Sequence, residues 1–166
     1  MKGKSVLNEN MKNVNGFEPV VDGQSVVLVL GTAPGAQSLL TGEYYANRGN
    51  IFWEIISHIF NGGRPFASYA EKVACLHQNH IALWDTLSRC RREGSTDDNI
   101  TAEEHNDIDR FLADHPSIKK IVFNGKAPSR YYKPAIDYAV ALSTSPANRK
   151  FSFDERVQSW AEAMGL

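Results

Sequence analysis

Two polar side chains stand beside apolar segments, where regular elements are expected to begin or end. Asn50 directly precedes Ile51–Phe60, whose apolar residues have helical spacing. Its amide can cap that helix by accepting a first-turn N–H, or it can favour an anion or an attacking water at the same place. Asp85 closes the run Leu83-Trp84-Asp85. A carboxylate there can cap the next turn or accept a hydrogen bond from an N–H of a ligand.

The segment Gly31-Thr32-Ala33-Pro34-Gly35 follows the apolar run Val26–Leu30. It predicts a tight turn whose backbone amides can approach a ligand, or an ordinary turn from strand to loop. The chain contains neither G-x-x-x-x-G-K-[ST] nor G-x-G-x-x-G, so chemistry on nucleoside triphosphates or dinucleotides is not expected. It also lacks G-x-S-x-G, so nothing supports an ester-hydrolase serine.

Aromatic residues flank Asn50 on both sides. Phe52 and Trp53 lie in the predicted helix and are expected to pack in the core, whereas Tyr44 and Tyr45 lie in a loop and are expected to be more exposed. An exposed aromatic ring can stack on a nucleobase, which contributes about 1–3 kcal/mol. The cluster is therefore compatible with base binding.

Disulfide and metal chemistry are not expected. The two cysteines, Cys75 and Cys90, are too few for a disulfide scaffold or a four-cysteine metal site. The spacing Cys75-x-His77-x-x-His80 offers only three zinc ligands, and a helix would spread them over different faces. We expect buried free thiols and no metal or other cofactor.

The elements that must position these residues alternate along the chain. Short apolar runs predict strands at Val26–Leu30, His80–Trp84, Lys120–Phe123 and Tyr138–Leu142. Apolar residues at helical spacing and capping signals predict helices at Ile51–Phe60, Ser68–Gln78, Thr101–Asp114, Ala127–Ile136 and Phe153–Met164. The third helix is assigned from a capping box that begins at Thr101.

This alternation predicts an α/β fold, a three-layer α/β/α sandwich around a central four-stranded, mainly parallel sheet. Ligands of such sheets bind beyond the carboxyl ends of the strands. The turn at Gly31–Gly35, Asp85, Asn124 and the segment Ser143–Asn148 each follow a predicted strand. We therefore expect them to meet at one edge of the sheet.

Composition is that of a globular protein, with 42% hydrophobic and 22% charged residues in 166. The length predicts a single domain over residues 23–166, preceded by a tail or strap at residues 1–22. No apolar run is long enough for a membrane span or a signal peptide, so a cytoplasmic protein is expected. Acidic residues concentrate between Asp97 and Asp114, so the remainder carries a net positive charge. That remainder can face a polyanion, or simply form a mixed surface.

Taken together, these segments resemble the uracil-DNA glycosylase superfamily, and within it the hypoxanthine-DNA glycosylase branch. The resemblance covers about Val26–Trp160 and rests on Gly31–Gly35, Tyr44–Trp53, Ala82–Asp85, Phe123–Gly125 and Ser143–Asn148. It implies a central parallel sheet of four strands, hydrolysis of a base–sugar bond in DNA, and no metal.

The resemblance also implies roles for individual residues. Asn50 matches the asparagine of an Asn-x-Phe-Trp block and would orient water or stabilise the departing base. Asp85 would accept a hydrogen bond from the edge of the base, and Tyr45 would stack on the flipped base. The other base-binding positions are Thr32, Ala33, Pro34, Gly35, Phe52 and Asn124. The loop that approaches DNA comprises Ser143, Thr144, Ser145, Pro146, Ala147, Asn148, Arg149 and Lys150.

One position departs from the pattern of a related branch. In the mismatch-specific uracil/thymine branch an asparagine of the first motif positions the water, and here that position is Ala33. The departure disfavours a thymine-type activity and leaves hypoxanthine and uracil open, because either base can offer an N–H to Asp85. No matched motif places a lysine nucleophile, so a monofunctional enzyme is expected.

The expected function is removal of a deaminated base in base excision repair. The expected partner is DNA that contains such a base, and the protein is expected to act as a monomer without membrane association. Two alternatives remain: a glycosylase for uracil in mismatches or single strands, and a non-catalytic module that binds nucleic acid or nucleotides with the same fold. Release of a free base separates the enzymes from the module.

Overall fold

A computed structural model of the protein describes residues 11–93 and 97–166. The strands in these ranges are β1 (Met11–Asn15), β2 (Val27–Gly31), β3 (Ile81–Asp85), β4 (Leu87–Glu93), β5 (Ile100–His105), β6 (Lys120–Asn124) and β7 (Asp137–Ala141). The helices are α1 (Ala36–Thr41), α2 (Phe52–Phe60), α3 (Tyr69–Gln78), α4 (Ile108–Asp114), α5 (Lys126–Ser129) and α6 (Phe153–Ala163).

The central sheet has four parallel strands in the order β3-β2-β6-β7. All four predicted strands are confirmed, each with its ends within one residue of the expected positions. The register places Gly31 opposite Asp85 and Asn124 opposite Ala141. Because the strands are parallel, these residues all lie at the same carboxyl edge of the sheet.

Helices cover both faces of this sheet. On one face Phe52 and Ile56 of α2 and Trp160 of α6 join a core that includes Val29 and Val122. On the other face Ile108 and Phe111 of α4 pack against side chains of β2 and β6, namely Leu28, Leu30, Ile121 and Phe123. The predicted three-layer α/β/α architecture is confirmed.

A second, antiparallel sheet with the order β1-β4-β5 was not predicted. Strand β4 starts two residues after β3 ends, and a small cluster of Val14, Leu87 and Cys90 forms its core. Strand β5 lies where the first half of the helix predicted at Thr101–Asp114 was expected, so that half is wrong, whereas the second half is confirmed as α4 with Ile108 and Phe111 buried. Almost every residue of β5 is exposed, which removes the apolar alternation that normally indicates a strand. The true cap is Asp107, whose Oδ1 accepts from the Arg110 N–H of α4 at 3.0 Å.

Three of the predicted helices are confirmed, in the form of α2, α3 and α6. Two have serine caps, because Ser68 accepts from the Glu71 N–H and Ser152 forms a capping box with Glu155. The helix predicted at Ala127–Ile136 is wrong in its length. Only the four residues Lys126–Ser129 of α5 are helical, and Pro134 disfavours helical backbone at Lys133, the residue before it.

The segment before β2 lies along the outer edge of β3. The backbone N–H groups of Val20 and Leu83 each donate to the other residue's carbonyl at 2.8 Å. The Trp84 indole N–H donates to the Phe17 carbonyl at 3.0 Å. The division of the chain at residues 22 and 23 stays a prediction, and residues 1–10 of the expected tail lie outside the described ranges. No helix in the described ranges is long and apolar enough to span a membrane.

Candidate active site

Asp85 ends β3 and is only 4% exposed. Within the described residues its Oδ2 atom has no hydrogen-bond partner, while its backbone carbonyl accepts from the Asn106 side-chain amide at 2.8 Å. Burial is the main cause that raises the pKa of Asp85 to about 7; the charge of Asp97 adds to the increase and Arg92 opposes it. The carboxyl group therefore changes charge near neutral pH.

Gly31 allows Asp85 and Tyr45 to approach the same point of the backbone. A Cβ atom on Gly31 would lie 2.6 Å from Asp85 Oδ1 and 2.7 Å from the Tyr45 hydroxyl oxygen. Both distances are shorter than any van der Waals contact. Because Gly31 has no side chain, the Asp85 carboxylate and the Tyr45 hydroxyl can both lie close to the end of β2, at the carboxyl edge of the sheet.

Tyr45 is held in an unusual backbone conformation, with φ at +54°. Strain of this kind is concentrated at functional sites. The Tyr45 ring packs on Phe52 with centroids 4.3 Å apart, and within the described residues its hydroxyl has no hydrogen-bond partner. Burial and the Asp85 charge raise the pKa of Tyr45, so the hydroxyl stays neutral and can donate a hydrogen bond.

The structure corrects two expectations for the aromatic cluster. Tyr44, expected to be exposed, is buried in the core, where its hydroxyl donates to the Glu18 carbonyl at 2.8 Å. Phe52, expected to bind the base, has no exposed surface and is enclosed by Tyr45, Trp53 and Trp160. A fully buried ring cannot contact a base. Phe52 instead packs against the Tyr45 ring and fixes its position.

Asn50 lies just before α2, as the sequence predicts. The N-cap position of α2 is Ile51, one residue later than the sequence predicts, but the Asn50 Oδ1 accepts from the Phe52 N–H at 3.0 Å and so satisfies the first N–H of the helix. That bond uses the oxygen and leaves the NH₂ group as the donor of the side chain. Asn50 also lines a cavity of about 620 Å³ together with residues that include Tyr45, Trp53, His58, Phe66 and Lys72. The capping role and a catalytic role are therefore compatible in one residue.

The turn Thr32–Gly35 uses its polar groups for internal contacts. The Thr32 hydroxyl donates to Asp97 Oδ2 at 2.9 Å, and the Pro34 carbonyl accepts from Arg92 Nη2. Ala33 packs against the small core of the second sheet. The backbone of this turn stays a candidate for base or sugar contact, while these side chains fix the turn in place.

Asn124 connects the end of β6 to the loop after β7. Its Nδ2 donates to the Thr144 hydroxyl at 2.9 Å and its Oδ1 accepts from the Thr144 N–H at 3.0 Å. The Thr144 carbonyl in turn accepts from the Ile51 N–H at 3.1 Å. Thr144, expected to contact DNA, is fully buried and therefore holds two segments of the site together instead.

The rest of the predicted DNA-binding loop lies at the surface. Ala147, Arg149 and Lys150 are exposed, and Ser143, Ser145, Pro146 and Asn148 are half-buried. A Cβ on Gly49 would lie 2.9 Å from Pro146 Cβ, so this loop closely approaches the segment before Asn50. The loop is thus placed where it can approach DNA beside the site, and its contacts with DNA stay a prediction.

Sequence reasoning missed two buried arginines that hold the site's loops. Arg92 contacts the Pro34 carbonyl, and Arg156 donates to the Ser143 and Ser145 carbonyls at 3.3 Å and 3.4 Å. Arginine is ordinarily an exposed residue, so composition gives no signal for either. The strand phase of β4, in which Arg92 follows buried Cys90 by two residues, could have placed Arg92 inward.

Comparison with known proteins identifies the family of this chain. The family model of the uracil DNA glycosylase superfamily matches residues 18–163. Two proteins named hypoxanthine DNA glycosylase, from Methanosarcina barkeri and Methanosarcina acetivorans, are each 35% identical to this chain; the matches cover 89% and 87% of it and 96% and 94% of the relatives.

A solved structure extends the likeness to three dimensions. It is a solution NMR structure of a Methanosarcina acetivorans protein provisionally described as a uracil DNA glycosylase. The TM-score is 0.75 at 32% identity, over 90% of this chain and 96% of that one. Sequence and fold agree over nearly the whole length, and the chain belongs to the uracil DNA glycosylase superfamily.

Proposed function

We propose that this protein is a monofunctional DNA glycosylase that hydrolyses the bond between hypoxanthine and deoxyribose. The observation that carries the proposal is the approach of the Asp85 carboxylate and the Tyr45 hydroxyl over Gly31 at the carboxyl edge of the sheet. Tyr45 also lines the cavity that Asn50 lines. The relatives named hypoxanthine DNA glycosylase support hypoxanthine as the substrate.

Binding begins with removal of the base from the helix. A base inside a duplex is inaccessible, so flipping must be offset by contacts in the pocket, at a cost of a few kcal/mol. The Tyr45 ring, supported by Phe52, offers a rigid surface for stacking. The Asp85 carboxylate accepts the hydrogen bond of N1–H on the Watson–Crick edge of hypoxanthine.

Hydrolysis then proceeds through a sugar with oxocarbenium character. The C1′–N9 bond breaks and its electron pair leaves with the base, which takes up a proton; water forms the new C1′–O bond and loses one. The Asn50 amide orients that water or stabilises the negative charge on the departing base. No lysine takes part as a nucleophile, so the product is an intact strand with an abasic site.

Contacts to the phosphates come from the loop Ser143–Lys150. Arg149 and Lys150 are exposed at its end and supply positive charge. Arg156 holds the start of this loop from below through backbone carbonyls. The loop is therefore positioned independently of DNA.

The test is release of free base under single-turnover conditions from duplexes that contain inosine, uracil, xanthine or a thymine mismatch. We expect fastest release of hypoxanthine, in the presence of chelator, with strand cleavage only after alkali. An Asn50→Ala protein prepared in the same way controls for contaminating glycosylases.

Other outcomes contradict the proposal in distinct ways. Faster release of uracil favours the runner-up function, which the Asp85 contact also supports because uracil offers an N3–H. Tight binding of inosine DNA without release of any base favours the non-catalytic module. A covalent complex trapped by borohydride reveals a Schiff base and overturns the monofunctional mechanism.

A further inference from the structure

Arg92 is a buried cation that belongs to the second sheet but contacts the first. It is 1% exposed, and its Nη2 donates to the Pro34 carbonyl in the turn after β2. Its Nη1 lies 3.6 Å from Asp97 Oδ1. A guanidinium group loses its hydration when it is buried, so such a residue requires compensating partners.

Asp97 contacts both the turn and Arg92. Its Oδ2 accepts from the Thr32 hydroxyl at 2.9 Å while its Oδ1 faces Arg92. Thr32 and Pro34 are thereby held at two points by one ion pair. The turn cannot shift relative to β4 without breaking a charge-assisted contact.

The same ion pair acts on Asp85. The charge of Asp97 raises the pKa of Asp85, and the charge of Arg92 lowers it. Among the described residues, the hydroxyls of Tyr44 and Tyr45 and the thiol of Cys90 also interact electrostatically with Asp85. The Arg92–Asp97 ion pair therefore links the position of the turn to the charge of the Asp85 carboxylate.

We infer that Arg92 and Asp97 are positioning residues for base excision, which fix the Thr32–Pro34 turn against the base pocket beside Asp85. The inference rests on the proposed function, because it assigns these residues to the same reaction. It makes the second sheet a functional part of the molecule, since Arg92 lies in β4 and Asp97 lies between β4 and β5.

The test is the pH profile of base release. If Arg92 and Asp97 had only a structural role, their substitutions would not shift the acidic limb of that profile in opposite directions. The variants are Arg92→Met, Arg92→Lys and Asp97→Asn in the full chain, and Arg91→Met, an exposed neighbour on the same strand, is the matched control. The rate of hypoxanthine release is measured under single-turnover conditions from pH 5 to pH 9.

We expect the acidic limb of the profile to move to higher pH in Arg92→Met and to lower pH in Asp97→Asn, by about one unit in each case. Arg92→Lys keeps the charge, so its acidic limb should lie close to that of the wild type. The control keeps the wild-type profile. Equal profiles in all four variants, with melting temperatures that report folded proteins, overturn the inference.

The failure of the proposed function is distinguishable from the failure of this inference. If the wild-type protein releases no base, the proposed function is wrong, and the pKa of Asp85 is then followed by carbon-13 NMR of its carboxyl group. Opposite shifts of that pKa in Arg92→Met and Asp97→Asn support the electrostatic part of the inference, and unchanged values contradict it. Should Arg92→Met not fold, Asp97→Asn tests the inference by itself: its acidic limb should move to lower pH while Arg92→Lys stays near wild type, and an unmoved limb in Asp97→Asn contradicts the inference.

Discussion

Asp85 is a carboxyl group with a pKa of about 7, because it is buried and lies near Asp97. The ionised carboxylate is a stronger hydrogen-bond acceptor than the neutral acid. In the proposed function the contact with the base N–H therefore depends on pH. Tyr45 retains its proton, and the pair therefore offers one acceptor and one donor over Gly31.

Replacing Asp85 with Asn is expected to remove the pH dependence of excision. In the wild-type protein the single-turnover rate rises with pH through about 7, since the carboxylate replaces the acid. Loss of a hydrogen bond to a charged group costs about 1.5–3 kcal/mol, or about 10–10² in rate. A rate profile measured from pH 5 to pH 9 checks this; an unchanged ascending limb in Asp85→Asn shows that another group titrates.

The same substitution is expected to stabilise the protein in alkaline solution. The folded-state pKa is raised from 3.8 to about 7, so between these values the native state keeps a proton that the unfolded chain has lost. The free energy of unfolding therefore falls as pH rises through this window, by at most about 4 kcal/mol. Thermal melting should place Asp85→Asn above wild type at pH 8 but not at pH 4. The exposed Asp137→Asn is the control and should match wild type at each pH.

Asn50→Ala is expected to separate catalysis from capping. The cap contributes about 0.5–2 kcal/mol to stability, and loss of a preorganised polar group costs about 10²–10³ in rate. Asp107→Ala removes a comparable cap on α4, which contributes no residue to the cavity that Asn50 lines, and should lower the melting temperature with a normal rate. A normal single-turnover rate in Asn50→Ala at a permissive temperature reduces Asn50 to a cap.

At the scale of elements, the parallel sheet could be predicted and the antiparallel sheet could not. Strands buried on both faces are continuous apolar runs, so β2, β3 and β6 stand out in the sequence. Strand β7 is a mostly exposed edge strand, but its residues Tyr138–Ala141 still form an apolar run. Strand β5 is exposed and charged, and its capping-box sequence favours a helix. Its partner β4 was not predicted either. Without that strand, the alternation that buries Arg92 on the same face as Cys90 could not be recognised.

The candidate site also contains residues whose positions could be predicted from the sequence and residues whose positions could not. Asp85, Asn124 and the turn after β2 could be predicted because each follows a recognisable strand. The burial of Tyr44 and Thr144 could not, because it depends on contacts between segments distant in sequence, such as the Thr144 carbonyl with the Ile51 N–H.

The loop after β7 is expected to control affinity rather than rate. Arg149→Ala combined with Lys150→Ala should weaken DNA binding and lower the slope of log affinity against log salt by about 0.9 for each phosphate that the protein no longer neutralises. Lys119→Ala with Lys133→Ala, exposed residues before β6 and β7, is the control of equal charge. Salt titrations on abasic duplex check the slopes; equal slopes for the two double variants show that this loop does not contact phosphates.

At the scale of the whole molecule, the chain before β2 closes one side of the central sheet. Its two hydrogen bonds with Leu83 occupy the edge of β3 that the helices leave open. Val20→Pro removes one of these N–H groups and should lower the free energy of unfolding by about 1–3 kcal/mol more than Val20→Ala, which removes packing alone. Urea unfolding of both variants checks the difference, and equal midpoints would mean that the bridge adds nothing beyond side-chain packing.

Gly31 also constrains how the sequence can change during evolution. Any other residue there would place a Cβ within 2.7 Å of the Asp85 and Tyr45 oxygens, so one of these two side chains would have to move. A lineage that keeps both side chains in this arrangement is therefore expected to keep the glycine. A lineage that abandons base excision loses that restriction while the surrounding sheet stays intact. In sequence surveys of this superfamily, a glycine at the position of Gly31 is therefore expected to distinguish members that keep the Asp85–Tyr45 arrangement from members that keep only the fold.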